Sequence, residues 1–379
     1  MSSWESLSSI TILGVSVPQV VMLIIAVLLA YIAITKKYEP LLLLPLAFGM
    51  IIANVPFSGL SAFDEGGLIY YLYKGIKMGI YPPLIFLCIG TMTDFSSLLA
   101  SPIVSALIGL GGQLGIFVAA ACAYLLGKVM PNVFSFSIKD AISIGMIGSA
   151  SGPTTIYTAS VLSPAFLSII TIAAYSYTSL VPVIQPPIMK ALTNDKERTA
   201  VMPPPKRVNR TEKIAFSIIV TILALYFVPQ AGSLIAMLML GNLIKESGVT
   251  DRYINTLQNH LLNILTLLIG ISVGATATAD KILNLNTLII IILGLIAFVF
   301  GTIGGVLMAK LLYKITKGRV NPLIGNAGVA AMPMAARVSQ KMGQEYNPQN
   351  HLLMHSMGPI VAGKIISAVI AGIFISYFG

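Results

Sequence analysis

Runs of 18 or more mostly apolar residues recur along the whole of this chain, and that feature constrains its fold more than any other. A stretch of that length is what an α-helix needs to cross the hydrocarbon of a bilayer. Only 9% of the 379 residues are charged and 56% are hydrophobic, with a mean hydropathy of +0.90. A soluble domain carries about a quarter charged residues, and a β-barrel would show short alternating segments instead. The sequence therefore predicts an all-α polytopic membrane protein.

The 23 Lys+Arg against 13 Asp+Glu give a formal charge of +10. These cations fall in short loops, as expected of cytoplasmic loops beside anionic lipid. They do not gather on one folded face, which argues against nucleic-acid binding. Cys88 and Cys122 both lie inside apolar runs and form neither metal spacing nor a disulfide framework. The opening "MSSWESLSS" has no basic stretch and no cleavage site, so it does not read as a signal peptide, and the first apolar helix is expected to remain as an anchor.

Apolar segments fall at 17–35, 41–56, 80–99, 101–127, 138–162 and 164–190, then at 213–228, 230–246, 258–279, 284–315, 320–341 and 350–378. Between the two series lies "NDKERTAVMPPPKRVNRTEK", too charged and proline-rich to enter a bilayer. The chain thus divides into an N-terminal membrane repeat over 1–193, a cytoplasmic linker over 194–212 and a C-terminal membrane repeat over 213–379. Stretches 66–79 and 250–260 mix tyrosines, basic and apolar residues and read as interfacial amphipathic helices.

One phrase occurs in each half. "IGSASGPTTIYTAS" begins at Ile147 and "IGNAGVAAMPMAARVS" at Ile324, and "GTMTDF" at 90–95 parallels "GATATAD" at 274–280. Duplicated halves mark carriers, whose substrate sites gather where irregular helices of the two halves meet near the midplane. If each phrase unwinds or re-enters, each half has about five crossings, the repeats are inverted, and the Lys/Arg bias places both termini outside. Unwound backbone at membrane depth is tolerated only when buried in protein or lining a wet cavity. Glycine and proline invite it here, and it would bare carbonyl oxygens and hydroxyls suited to a small cation.

The competing explanation is close helix packing, which is favoured for Gly111/Gly115 and Gly301/Gly305. Arg337 reads either as a snorkelling helix-end residue or as a fixed cation for a carboxylate. Asn321 and Asn326 need amide partners at that depth. Asp94 is either a helix cap or a site acid. His351 and His355 share one helical face without further ligands, and His355 reads as a hydrogen-bonded structural residue before a proton relay.

"IGNAGVAAMPMAARVSQKMGQ", "LLMHSMGPIVAG", "AAYSYTSLVPVIQPPIMKALT" and "GTMTDFSSLLASP" resemble the β subunit of sodium-translocating biotin-dependent decarboxylases, from about residue 20 to the C-terminus. The resemblance implies an elevator-carrier-like fold of two inverted repeats in the cell (inner) membrane. It implies that carboxybiotin, carried by a biotin carrier/carboxyltransferase partner, is decarboxylated with proton consumption and sodium export. It further implies a small γ or δ anchor subunit and a β homotrimer. The compact N-terminal region is more similar to the acyl-CoA-type members than to the oxaloacetate-type ones.

By the same resemblance Asn321, Gly325, Arg337 and Tyr177 match functional residues. Arg337, Asn321 and Tyr177 are then expected to act on the carboxylate, with Arg337 holding carboxybiotin. Two positions depart: Ser151 stands where relatives carry an acid, and Ala330 where they carry a serine. A hydroxyl does not change charge where a carboxylate does. The sodium ligands expected are then Ser149, Ser151, Thr154, Asn321, Gly325 and Asn326, with Asp94 as the candidate acid. Two rival readings stay open, a stand-alone carboxylate carrier and a decarboxylating subunit without ion coupling.

Overall fold

The computed structural model describes residues 11–12, 15–37, 39–55 and 65–379. The opening stretch over residues 1–10, including the expected absence of a leader, lies outside them. Among the described residues the chain is mainly helical, with one short pair of strands. Thr11–Ile12 and Val15–Ser16 pair as a two-residue antiparallel hairpin ahead of the first helix.

Besides the short helices Ser96–Ala100, Asp195–Arg198 and Ala279–Ile282, the helices are α1 (Val17–Thr35), α2 (Pro40–Asn54), α3 (Leu68–Lys77), α4 (Tyr81–Met92), α5 (Pro102–Gly112), α6 (Leu114–Val129), α7 (Ile138–Gly145), α8 (Gly152–Leu162), α9 (Leu167–Ser179) and α10 (Val181–Leu192). After the linker come α11 (Arg210–Phe227), α12 (Pro229–Ser247), α13 (Asp251–Asn255), α14 (Leu262–Gly274), α15 (Leu285–Ile315), α16 (Met334–Tyr346) and α17 (Leu353–Phe378). Among the described residues five helices are long and apolar enough to cross a membrane, or up to seven if each of two bent pairs, α3/α4 and α9/α10, is one span. With 15 residues, α2 is shorter than a full span, and α11 carries Arg210, Glu212 and Lys213 in its first turn.

One expectation is corrected. Residues 250–260 do not form a separate interfacial helix: α13 continues through a π-helical turn, Thr256–Leu261, into α14, giving a single 24-residue helix Asp251–Gly274. No proline or glycine lies within 250–260 ahead of the apolar run of α14, so nothing breaks the helix at 260.

Glycines set the crossings between the halves. A Cβ at Gly49 on α2 would fall 2.3 Å from the Ile271 carbonyl oxygen of α14, and one at Gly274 would fall 2.1 Å from that of Leu46. On α4 and α12 the same reciprocity recurs: Gly90 faces the Leu238 oxygen and Gly241 the Leu87 oxygen, each at 2.1 Å. The second helical segment of each half thus lies backbone to backbone against the third segment of the other, which only side-chain-free positions allow. A second body forms around α15, whose Gly301, Gly304 and Gly305 admit the backbone of α5 and the Pro322–Gly328 turn, while Gly115 of α6 lets the Ala297 oxygen of α15 approach. The packing reading of Gly111/Gly115 and Gly301/Gly305 therefore holds.

Candidate functional site

Both duplicated phrases are breaks. In the first, α7 is capped by Ser137, whose hydroxyl accepts from Asp140 N–H at 3.2 Å. It tightens into a 3-10 turn, Met146–Ser149, and Ala150 then takes the left-handed conformation (φ 51°, ψ 29°). For an alanine this costs on the order of 1–2 kcal/mol, which the surroundings must offset. Ser151 is extended, and α8 restarts at Gly152 with Pro153 in its first turn. The second break runs from a 3-10 turn, Pro322–Gly328, through extended Val329 and a cis Met332–Pro333 peptide into α16.

Hydroxyls close the loose ends of the first break. The Met146 carbonyl accepts from Ser149 Oγ at 2.8 Å and from Thr155 Oγ1 at 3.0 Å, and Ser151 N–H donates to Ser149 Oγ at 3.2 Å. Ser151 Oγ and Thr154 Oγ1 stand 2.7 Å apart. The breaks are joined to each other by Ala330 N–H, which donates to the Ser149 carbonyl at 2.9 Å.

A cavity of about 440 Å³ opens between them. Residues 150–153 form one wall and residues 330–333 another. Apolar side chains of α2 and α4, among them Leu42, Ile85 and Ile89, face them, and Tyr175 and Thr178 enter from α9. Lys364 also lines it, from α17. That residue is the twelfth of 26 in a membrane-length helix, and only 8% of it is exposed. Its ammonium has no hydrogen bond or ion pair among the described residues. The ionisable side chains lining the cavity are Glu39, Tyr175 and Lys364.

The expected residues divide into distinct places. Ser151 lines the cavity, with Ser149 and Thr154 directly behind it, all buried. Asn326 is buried in a closed network: its Nδ2 donates to Gln185 Oε1 at 2.8 Å and to the Ala335 carbonyl at 3.0 Å, and its Oδ1 accepts from Ser339 Oγ at 2.6 Å. Every polar atom of that amide is used in holding the break. Gly325 presses on α15, where a Cβ would fall 2.5 Å from the Gly305 oxygen.

Asn321 caps the turn through Leu323 N–H at 2.9 Å and grips the linker at the Arg198 and Ala200 carbonyls, at 3.0 and 2.7 Å. Tyr177 donates its hydroxyl to the Ile291 carbonyl; its neighbour Tyr175 is the tyrosine in the cavity.

Arg337 and Asp94 lie elsewhere. Arg337 is exposed on the outer face of α16, in a groove of about 460 Å³ with Lys190, Lys341 and Glu345. Asp94 follows α4, where it accepts from Ser96 N–H at 2.9 Å and pairs with Lys213 at 3.7 Å. Partial burial pulls its carboxyl upward, but the Ser96 bonds and the Lys213 and Lys245 ammonium groups outweigh that and hold it below the usual carboxylate value. Among the described residues no three of His, Cys, Asp and Glu converge as a metal site. The hydroxyls and carbonyls of the breaks are neutral oxygens, and the carboxylate that lines the cavity with them is Glu39.

Lys364 is the residue that sequence reasoning missed. Its signal was a single lysine in the apolar run "GPIVAGKIISAVIAG", where an ionisable residue at membrane depth is by default a functional candidate.

Residues 18–378 match the family model described as the Na+-transporting oxaloacetate decarboxylase beta subunit. The chain is 47% identical to the methylmalonyl-CoA decarboxylase subunit beta of Propionigenium modestum, over 97% of this chain and 96% of that one. It is 49% identical to the glutaconyl-CoA decarboxylase subunit beta of Acidaminococcus fermentans, over 95% and 93%. It is 44% identical to the oxaloacetate decarboxylase beta chain of Klebsiella pneumoniae, over 95% of each. The glutaconyl-CoA alignment spans 359 residues and the oxaloacetate alignment 416 for the same 95% of this chain, so the oxaloacetate relative carries insertions that this chain lacks.

Proposed function

The chain belongs to the Na+-transporting oxaloacetate decarboxylase beta subunit family, and from that premise we propose that it is the membrane subunit of a decarboxylase sodium pump. Its substrate is the carboxyl group of carboxybiotin, presented by a biotin carrier/carboxyltransferase subunit. A small γ or δ subunit anchors the assembly, the β chains form a trimer in the cell membrane, and the C-terminus lies outside. The shorter alignment with the glutaconyl-CoA relative supports an acyl-CoA as the original carboxyl donor.

The observation that carries the reading is the cavity between the paired breaks. Its apolar walls strip water from an entering carboxylate, and a desolvated carboxylate loses CO2 more readily than a hydrated one. The N–C bond breaks, its electron pair stays on the ureido nitrogen, and a proton is taken up there. Ser151, backed by the Thr154 hydroxyl, offers the hydroxyl that orients the group. Neutral oxygens at the breaks hold the exported sodium.

The halves are read as inverted repeats, supported by the reciprocal pairs Gly49/Gly274 and Gly90/Gly241. The body around α15 then slides against the α2/α4/α12/α14 layer to alternate access.

Carboxybiotin decarboxylation with radioactive sodium uptake, measured on the purified complex in proteoliposomes, tests the reading; a chain that purifies without biotinylated partners and moves a carboxylate intact would replace it with a carrier. A second reading, decarboxylation without ion coupling, is favoured by a specific observation: Ser151 is neutral and the cavity already holds a cation, Lys364. Turnover without sodium uptake would select it.

A further inference from the structure

We propose that the cavity between the two breaks is a carboxylate-binding site in which Lys364 supplies the charge. A lysine ammonium is strongly hydrated and is not left bare in a membrane interior without a partner or an aqueous path. Lys364 is buried at the middle of α17, lines the cavity and makes no hydrogen bond or ion pair among the described residues. Hydroxyls and carbonyl oxygens line the same space, yet the ammonium is not spent on them. Of the other ionisable groups there, Glu39 stands at the start of α2 and Tyr175 on α9, and neither pairs with it.

A second observation points the same way. Two helices begin at this cavity, α8 at Gly152 and α16 at Met334, of 11 and 13 residues. Their N-cap residues, Ser151 and Pro333, make no side-chain capping bond. Gly152 and Pro153 at the start of α8 and Pro333 at the start of α16 line the same space as the ammonium, which puts the positive end of each helix dipole at its wall, although the Ala335 N–H of α16 is already taken by the Ala331 carbonyl at 3.0 Å. Three positive features and no paired acid make an anion site. The volume of about 440 Å³ and the largely apolar walls suit a carboxylate on a small organic body.

A carboxylate could come from two sources, the carboxyl group of carboxybiotin or free bicarbonate, the hydrated product. The first rests on the function proposed above; the binding site itself does not.

The test uses the full chain in nanodiscs, titrated with sodium bicarbonate against sodium chloride at constant sodium. Wild type binds bicarbonate saturably, Lys364→Met weakens binding by at least about tenfold, the loss of one charge-assisted bond, and Lys364→Arg retains most of it. Wild-type protein with 15N-lysine and 13C-bicarbonate should also show a solid-state NMR contact between the two labels, a readout that does not depend on a variant folding. In the reconstituted complex, competitive inhibition of decarboxylation by bicarbonate with Lys364→Met raising KM for the carboxylated carrier assigns the site to the reacting carboxyl. Bicarbonate binding at Lys364 without effect on turnover assigns it to bicarbonate alone. Absence of both the NMR contact and any loss in folded Lys364→Met overturns the proposal, whether or not the complex decarboxylates. A complex that does not decarboxylate while Lys364 still binds bicarbonate refutes the pump reading and leaves the site standing.

Discussion

The Ala330 N–H donates to the Ser149 carbonyl at 2.9 Å, so a backbone bond ties the break in one half of the chain to the break in the other. Neither partner can find a helical mate, because Ser149 ends one 3-10 turn and Ala330 lies in the extended stretch after another. Unwound backbone at membrane depth is stable only when each freed group is answered, and here each break answers the other. The contact also fixes which residues face the cavity, since Ala150–Pro153 and Ala330–Pro333 diverge from it.

Ala330→Pro removes that donor. A buried acceptor losing its partner costs about 1–3 kcal/mol. Thermal unfolding in detergent should show the protein destabilised by that order, with little change in Ala330→Ser.

Gly274→Val tests the crossing between halves. Its Cβ would sit 2.1 Å from the Leu46 oxygen, and the α2/α14 backbones would have to part. Overpacking of this kind costs about 1–3 kcal/mol, to be read as a lowered unfolding temperature, and Gly90→Val should behave alike through Leu238.

Lys364→Met should tighten sodium binding. A unit charge about 6 Å from a second cation, at an effective dielectric of about 20, repels it by about 3 kcal/mol. Sodium titration of the variant in choline-balanced buffer measures the change. Unaltered affinity would place the sodium elsewhere.

Ser151→Asp places a carboxylate in the same cavity as Lys364. The pair should neutralise the site and weaken bicarbonate binding, while Ser151→Asp with Lys364→Met should bind sodium more tightly than either single variant.

Asp94 gives a pH dependence outside the bilayer core. Its carboxyl is held low in the folded protein, so its contribution is fully present above the unfolded value of about 4 and is lost as pH falls through the lower folded value. Asp94→Asn should narrow the difference in unfolding temperature between neutral and acidic buffer. The effect is small, because the carboxylate is partly exposed and screened.

The apolar runs made the helices and both breaks legible, because hydrophobic length and Gly/Pro content act locally. Side-chain direction was not. Arg337 sits two residues after Ala335, which with Ala336 and Ser339 makes the buried face of α16, and helical spacing turns the arginine outward. The same geometry separates Tyr175 from Tyr177: two residues along a helix point to nearly opposite sides, and only the three-dimensional contacts say which side holds the cavity. Residues 250–260 have the composition of an interfacial helix, but packing of α14 on α2 carries them into a longer one. Lys364 was legible as an anomaly, though not its direction.

The most direct test of the central claim is carboxybiotin decarboxylation by the reconstituted complex when the cavity is filled from its apolar wall by Ile89→Trp. This variant should assemble with its partners, keep the wild-type unfolding temperature within a few degrees and lose most turnover. Full turnover with the tryptophan seated in the cavity would contradict that claim.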